Sequence, residues 1–590
     1  MEWLCIVALG ALAVKLLNIS WRKWCDPQID YGRELYIPWR MAEGAKWLKD
    51  IDDLYGPLSR FIDAGLFKVF GPGIMVLAWA NIIIYFGILT LVYILFKRAW
   101  GVVAAIAVSF IFVGVFSFSQ LTITSNYNFV TPYSQQVTHG FLVCLLLVWL
   151  LPSWIKASTP KRSFGVGLMV GLTAVLKPEF VLASGILIII SLFFHIKLRG
   201  LPSVRCLLAG FVGCVLPTLL FFGIFSTYLP IRQAGFAACY AWLNGVFIWN
   251  DELTAHLLNS FSGMDQPKIH FIAHALATGW ALAIITSIVA AGLITRFIKL
   301  KGAQVGLGVL LALSVAAIGL KSVIWISLGQ SLVGLLLIYI VHRAFKELSV
   351  KDQESDDRAI EKTLLCALAL ALMTRMILNG RIYQYGFIQA SLASLVISAV
   401  LIEELPRLMK FEGLNFAIYR LCIGILLLCG VLSILAQSKT MEVAKTLPIG
   451  SGHDLFYAYP KTVSFDGELV KNVTETLLKN SSPQTLVVVP EGIMINYLTR
   501  KVSPVSAQAF YTNRKLEQEL VKTLDKNKPD KFVLISRDLT EYGVTQFGAK
   551  GQSGELIVDW ILHHYKVSAS HGQDPLKLAS AGATVYKLSQ

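Results

Sequence analysis

A charged loop between two apolar segments carries the residues that could do chemistry. It runs from Asp26 to Gly71 and places Asp30, Arg33 and Glu34 close together. A connector between membrane spans needs only a few polar residues, so this many ionisable side chains call for another explanation. A carboxyl group at a membrane edge loses part of its hydration, which raises its pKa and suits a general base. We therefore take Asp30 as the candidate base, with an ordinary solvated loop acid as the alternative.

Charged residues also lie at two predicted ends of membrane segments. Lys177 and Glu179 flank Pro178, which breaks a helix at the membrane edge. A lysine there can bind the phosphate of a lipid carrier, although it can also simply extend its ammonium group towards water. Arg381 lies in a polar turn with Tyr385 and is well placed for a bidentate phosphate contact.

Aromatic residues accompany these charges. Trp242 belongs to the long loop 226–270, which suits sugar stacking, but Trp and Tyr also gather at any membrane interface. Tyr55 opens a turn in which Pro57 suits the first position of a helix. The helix that follows, 58–70, is amphipathic and is expected to lie along the membrane surface.

The composition indicates a polytopic α-helical membrane protein. Of the 590 residues, 55% are hydrophobic and only 15% are charged, and the mean hydropathy is +0.63. Runs long enough to cross a hydrocarbon core of ~30 Å predict about 13 transmembrane helices. The predicted spans are 2–20, 73–96, 99–118, 136–155, 163–177, 179–196, 205–225, 271–295, 303–320, 322–341, 363–379, 388–404 and 417–436.

Basic residues in alternate loops predict the orientation, because Lys and Arg are retained on the cytoplasmic side. The first loop (21–72), the loop 226–270, the turn 379–387 and the C-terminal region would then share the opposite side. The net charge of +15 is dispersed among short loops rather than gathered on one soluble face, so a nucleic-acid partner is not expected.

The transmembrane region is predicted to span 1–437, and residues 438–590 to form a soluble domain. Short β-branched runs alternate there with amphipathic segments, which predicts a small α/β domain. Pro490, Glu491 and Gly492 directly follow its first strand, where ligands of open α/β sheets bind. A simple strand-ending turn is the alternative.

The first loop resembles that of membrane glycosyltransferases of the GT-C fold, particularly the protein O-mannosyltransferase-like and aminoarabinose-transferase-like branch. Those enzymes carry an acidic residue just past the first span, a later aspartate, and a Tyr-Pro-Pro-Leu run that opens an interfacial helix. Here Asp30, the stretch 41–44, Asp50 or Asp52, and the run 55–58 follow in that order at comparable spacing.

Two positions depart from this pattern. Tyr31 stands where the second acid of a pair usually lies, and Gly56 replaces the first proline. Glu34, one helical turn after Asp30, is the candidate for the missing acid. A metal site would want both acids and this branch often works without one, so no cofactor is certain and a divalent metal stays open.

The resemblance implies transfer of a sugar from a polyprenyl-phosphate donor to a hydroxyl of a glycan, lipid or protein, with inversion. Asp30 and Glu34 would be the catalytic acids. Lys177, Arg381 and Arg33 would bind the donor phosphate, and Tyr55, Glu179, Tyr385 and Trp242 would contact substrate. The expected location is a bacterial inner membrane, with the site and the C-terminal domain facing the periplasm.

Two other classes of function stay open. A lipid or glycan transporter or flippase would bind its cargo near the membrane midplane, on broken helices arranged in repeated halves. A non-catalytic membrane scaffold would tolerate replacement of Asp30.

Overall fold

We describe the protein from a computed structural model, which covers residues 2–28, 30–123, 127–248, 252–298, 300–349, 357–384, 386–479, 484–510, 513–577 and 580–589. The α-helices of these residues are α1 (Glu2–Ile19), α2 (Asp30–Ala42), α3 (Pro57–Phe70), α4 (Ile74–Trp100), α5 (Val102–Ile111), α6 (Gln135–Lys156), α7 (Pro160–Ala174), α8 (Pro178–Arg199), α9 (Val204–Ser226), α10 (Ile231–Ala238), α11 (Tyr240–Ile248), α12 (Glu252–Ser262), α13 (Pro267–Ile294), α14 (Lys301–Lys321), α15 (Gly329–Ser349), α16 (Asp357–Met373), α17 (Gly386–Ala399), α18 (Leu405–Leu408), α19 (Gly413–Ala444), α20 (Asp466–Leu478), α21 (Ile493–Thr499), α22 (Arg514–Lys526) and α23 (Glu555–His564). The strands are β1 (Leu447–Ile449), β2 (Phe456–Ala458), β3 (Leu486–Val489), β4 (Lys531–Ile535), β5 (Tyr565–Gly572) and β6 (Gly582–Leu588).

The described residues form 10 helical segments long and apolar enough to cross a membrane. The other three predicted spans are also helical but shorter. They are the segment Val102–Ser117, which combines α5 with a π-helical turn, and the helices α7 and α16, of 15 and 17 residues. Every predicted span is therefore a helix. Among the described residues, however, only 10 of these helices are long enough for a full crossing, fewer than the 13 that the sequence predicted.

Helix α7 packs closely on α9, and this contact fixes the turn between α7 and α8. A Cβ atom at Gly167 or Gly171 would overlap backbone atoms of α9, and one at Gly213 would overlap backbone atoms of α7. Small residues at such a crossing allow two membrane helices to approach each other directly. The residues that follow α7 are consequently held in a defined position at one end of the helix bundle.

The two predicted helices of the first loop are present as α2 and α3. On α3, Ile62, Val69 and Phe70 expose 43%, 74% and 69% of their surface. Arg60 and Asp63 lie on the other side and are buried in the protein. Part of the apolar side of α3 therefore faces outwards, as an interfacial helix requires, whereas Phe67 is buried in the core and Arg60 binds acids of the first loop.

The C-terminal region forms a small α/β domain, as predicted. Its main sheet has the order β3-β4-β6-β5, in which β3 and β4 are parallel and the other pairs antiparallel. The predicted strands did not include β5, although Tyr565, Val567 and Ala569 alternate there with polar residues; most residues of this edge strand are exposed. Helix α19 continues to Ala444, past the predicted domain boundary at 438.

The C-terminal domain shares a hydrophobic core with the first loop. Tyr31, Leu35 and Trp39 of α2 belong to one buried cluster with residues of β3, β4, β6, α20 and α21. At the contact, a Cβ atom on Gly32 would lie 2.6 Å from the backbone nitrogen of Met494, so only glycine fits. The domain is therefore packed directly against the helix that begins at Asp30.

Candidate active site

Asp30 begins α2 where the first loop meets the C-terminal domain. Burial, and after it the negative charge of Asp26, raise the pKa of the Asp30 carboxyl, which is about 7. The positive charge of Arg33 opposes the shift. From the C-terminal domain, Glu491 raises the pKa of Asp30 and Arg537 lowers it. A carboxyl group with a pKa near neutrality can accept a proton at working pH.

Glu34 lies one turn further along α2 and has no exposed side-chain surface. Its Oε2 is 2.7 Å from Nη1 of Arg60, and its Oε1 accepts a hydrogen bond of 2.9 Å from Nη2 of the same guanidinium. The backbone N–H of Gln135 also donates to Oε2, at 2.9 Å. Both oxygens of Glu34 are thus engaged inside the protein.

Arg60 joins Glu34 to a second carboxylate, that of Asp53. Nε of Arg60 donates to Oδ2 of Asp53 at 2.7 Å, and Nε1 of Trp47 donates to the same oxygen at 3.0 Å. All of these groups are buried. The network ties α2, α3 and the segment between them into one unit and so holds the start of α2 in place.

Lys177 and Tyr55 lie together at the end of the helix bundle. The ammonium group of Lys177 is 4.2 Å from the centre of the Tyr55 ring, and the guanidinium of Arg33 lies 5.7 Å from the same ring. Such distances allow cation–π attraction. Two of the predicted phosphate-binding cations therefore share one aromatic partner on the first loop.

Gly56 explains why Tyr55 comes so close to Lys177. Its backbone N–H donates to the carbonyl of Leu176 at 2.9 Å, and the N–H of Leu58 donates to the carbonyl of Val175 at 3.2 Å. A Cβ atom on Gly56 would overlap the Val175 carbonyl. The departure from the Tyr-Pro-Pro-Leu pattern thus has a structural cause: the backbone of the first loop pairs here with the turn after α7.

Glu179 and Arg375 complete the charged group around Lys177. Oε1 of Glu179 lies 3.2 Å from Nζ of Lys177 and 2.9 Å from Nη1 of Arg375. Two cations thus share one carboxylate, so the group keeps a positive charge and can attract an anion. The sequence prediction did not include Arg375 in the site, because nothing in its local pattern shows that the residue after α16 meets the start of α8.

The other predicted substrate contacts lie elsewhere. Nη1 of Arg381 donates to Oε1 of Gln384 at 2.7 Å, and its guanidinium lies 5.4 Å from the ring centre of Phe261. Within the described part of the chain, no contact joins Arg381 to Lys177. Trp242 is 41% exposed on α11, and Tyr385 lies outside the described residues.

The C-terminal domain contributes Glu491 and Arg537, which form an ion pair of 3.3 Å. Glu491 lies just beyond β3 and Arg537 just beyond β4. Because these strands are parallel neighbours, their carboxyl ends meet at one edge of the sheet. The sequence identified the turn after β3 but missed Arg537. Arg537 follows the second predicted strand as Glu491 follows the first, and this equivalence could have identified it.

The carboxylates near Asp30 do not form a metal site. Among the residues that the structure describes, no group of three or more His, Cys, Asp or Glu side chains could hold a metal ion. Instead, Arg537 lies among the acids, and its charge interacts with Glu491, Asp26 and Asp30. The donor set thus does not fit a divalent metal, and we derive no step through one.

Comparison with known proteins identifies the fold. No protein-family model and no curated protein sequence matches the chain. Among solved structures, the chain is similar to the Archaeoglobus fulgidus oligosaccharyltransferase in complex with Zn and sulfate, with 12% identity and a TM-score of 0.51 over 98% of this chain and 73% of that one. A second similar structure is ArnT from Cupriavidus metallidurans bound to undecaprenyl phosphate, with 9% identity, a TM-score of 0.43, and coverage of 98% and 97%. The chain has the GT-C fold that the first loop led us to expect.

Proposed function

We propose that this membrane protein is an inverting glycosyltransferase, which moves a sugar from a polyprenyl-phosphate donor to an acceptor hydroxyl. The observation that carries the proposal is the Asp30 carboxyl, whose burial raises its pKa to about 7 on a GT-C fold. The cationic group around Lys177 contacts Tyr55 of the same first loop and supplies the complementary charge.

In the proposed reaction, the acceptor hydroxyl gives its proton to Asp30 while its oxygen bonds to the anomeric carbon. The bond from that carbon to the phosphate oxygen breaks, and the polyprenyl phosphate leaves with the bonding electrons and an added negative charge. A direct attack of this kind inverts the anomeric configuration. Fixed positive charge near the leaving phosphate stabilises this transition state, and we assign that role to Lys177, Arg33 and Arg375.

Glu34 takes a supporting role in this proposal. Since Arg60 and the backbone of Gln135 occupy its oxygens, we assign it to positioning α2 rather than to proton transfer. Tyr55 and Glu179 would orient the cations that bind phosphate, through the ring contacts and the ion pairs described above.

An apolar cavity among the membrane helices supports a lipid-linked donor. It has a volume of about 490 Å³ and is lined by residues that include Trp280, Leu332 and Ile382. Trp280 is 71% exposed, so the cavity is open towards the lipid side. Because Ile382 follows Arg381 in the chain, Arg381 lies beside this cavity, and we retain it as a second candidate phosphate contact apart from the group around Lys177.

Other predicted features remain part of the proposal. The basic loops predicted to be cytoplasmic support a catalytic side facing the periplasm of a bacterial inner membrane. Trp242 and Tyr385 are retained as candidate substrate contacts on that side. The acceptor is taken as a glycan, lipid or protein that carries a free hydroxyl group.

The test is sugar transfer from a radiolabelled polyprenyl-phosphate donor by purified protein in lipid. Loss of a general base typically costs about 10²–10⁴ in rate, so we expect a loss in this range for Asp30→Asn. Asp559→Asn, a change of an exposed acid on α23 of the C-terminal domain, is the control and should keep the native rate. Equal rates for native protein and Asp30→Asn would contradict the role of Asp30, and no transfer by either would contradict the function.

A further inference from the structure

The C-terminal domain contains a cavity at the carboxyl ends of its parallel strands. This strand-end cavity has a volume of about 520 Å³ and is bounded by Pro490 after β3, by 536–540 after β4, by the start of α20, and by the segments 545–547, 575–577 and 580–581. Cavities of about 300–1,000 Å³ are typical of small-molecule sites. The carboxyl ends of parallel strands are also where open α/β sheets bind ligands.

The lining of the strand-end cavity suits a saccharide. Carboxylate and amide groups are supplied by Asp466, Asp538 and Gln546, and several hydroxyl side chains lie beside them. The carboxylates accept hydrogen bonds, and the amide and hydroxyl groups both donate and accept them, as sugar hydroxyls require. Phe465 and Phe547 add aromatic surface against which the apolar face of a sugar ring can pack.

The cavity also borders the candidate active site. Arg537 lines it, pairs with Glu491 at 3.3 Å, and interacts electrostatically with Asp30. Asp466 lines both the strand-end cavity and a smaller cavity beside Asp26. A ligand in the domain would therefore lie next to the charged groups that surround the proposed base.

We infer that the strand-end cavity binds a glycan acceptor and directs one of its hydroxyl groups towards Asp30. This inference rests on the proposed sugar transfer and names the class of its acceptor. A protein acceptor is less compatible with the site, because peptides are commonly held by main-chain hydrogen bonds along a strand edge, whereas this cavity presents side chains at strand ends.

The test measures binding of the full-length protein in lipid nanodiscs to a printed array of bacterial oligosaccharides and peptides. Thr545 is exposed at the cavity, and its side chain is hydrogen-bonded to Gln552 at 3.2 Å, so Thr545→Trp should fill the cavity without disturbing the core. Lys550→Trp places the same bulk on an exposed turn that does not line the cavity. We expect the native protein and Lys550→Trp to bind the same saccharides and Thr545→Trp to bind them at least about tenfold more weakly, equivalent to ~1.4 kcal/mol.

Failure of the inference can be separated from failure of the proposed function. Equal saccharide binding by Thr545→Trp, binding only to peptides, or no binding to the array would overturn the inference. Consumption of the radiolabelled donor, with water as the acceptor, is measured in parallel. If saccharide binding follows the cavity variants but the donor is never consumed, the cavity binds glycans, whereas the proposed transfer fails and the acceptor role fails with it.

Discussion

Asp30 experiences opposing charges from both parts of the molecule, and this balance sets its expected pH dependence. In the proposed role as a base, its carboxyl must be deprotonated to accept a proton. Since its pKa is raised to about 7, kcat/KM should rise with pH, with its midpoint near that value. Arg537 lowers the pKa of Asp30, so Arg537→Gln should move the midpoint to higher pH. Rates measured over a pH series will show this shift. An unchanged midpoint in Arg537→Gln would show that Arg537 does not influence the pKa of the catalytic carboxyl.

Asp30→Asn should also change stability in a pH-dependent way. Because the folded-state pKa of Asp30 lies above its ordinary value, the ionised carboxylate destabilises the fold as pH rises through about 7. The amide has no such charge. We therefore expect Asp30→Asn to raise the Tm relative to the native protein at pH above 7 and to differ less in acid. Thermal unfolding in acid and above pH 7 tests the sign of this Tm difference. A lower Tm of Asp30→Asn than of the native protein above pH 7 would contradict it.

Lys177 is 2% exposed and supplies the charge nearest to Tyr55. A hydrogen bond to a charged group is worth about 1.5–3 kcal/mol, or about 10- to 100-fold in affinity, so Lys177→Ala should weaken binding of a polyprenyl phosphate by this factor. Lys177→Arg keeps the charge and should recover part of the affinity. Lys161→Ala, at an exposed position on α7, is the control. Equal binding by Lys177→Ala would remove this residue from the donor site.

At the scale of elements, the start of α3 is joined to the turn between α7 and α8 through Gly56. The φ of Gly56 is −73°, which suits proline, so Gly56→Pro would restore the family pattern without backbone strain. It would nevertheless remove the hydrogen bond to Leu176 and overlap Val175. Overpacking alone costs about 1–3 kcal/mol, so we expect a lower Tm. Gly65→Ala, on the same helix with open space around it, should not lower it.

The contact between α2 and α3 depends on Arg60. Arg60→Met would leave Glu34 and Asp53 buried without their cation, and breaking a buried pair in this way costs about 3–5 kcal/mol. Exposed pairs contribute only about 0–1 kcal/mol, so Arg40→Met, which breaks a partly exposed pair with Glu43, is the control. Thermal unfolding in lipid compares the two. Equal Tm values would show that the buried network does not hold these helices together.

At the scale of the whole molecule, the C-terminal domain and the first loop form one packed unit around Gly32. Gly32→Leu would force α21 away from α2, because a Cβ atom there already meets Met494 at 2.6 Å. We expect faster hydrogen exchange in α21 and a lower transfer rate, with binding of polyprenyl phosphate at Lys177 retained. Gly65→Leu adds the same bulk at an exposed site and should change none of these. Unchanged exchange in α21 would contradict the tight docking.

The sequence by itself determined the local features of this protein. Long apolar runs predicted the membrane helices because a helix must satisfy its backbone hydrogen bonds within lipid. The spacing of apolar residues, and the polar or turn-forming residues between segments, likewise predicted three strands of the main sheet and the helices α2, α3, α20, α22 and α23. The order of residues in the first loop indicated the GT-C fold, which the structural comparison bears out.

Only the tertiary structure decided which distant residues share the site. Burial of Glu34 against Arg60, the pairing of Arg375 with Glu179, and the approach of Arg537 to Asp30 each join residues far apart in the chain. These contacts depend on how whole helices and a sheet pack, and no local pattern of charge or hydropathy encodes them. For the same reason, an acid such as Glu34 could be recognised in the sequence, but its accessibility could be read only from the folded molecule.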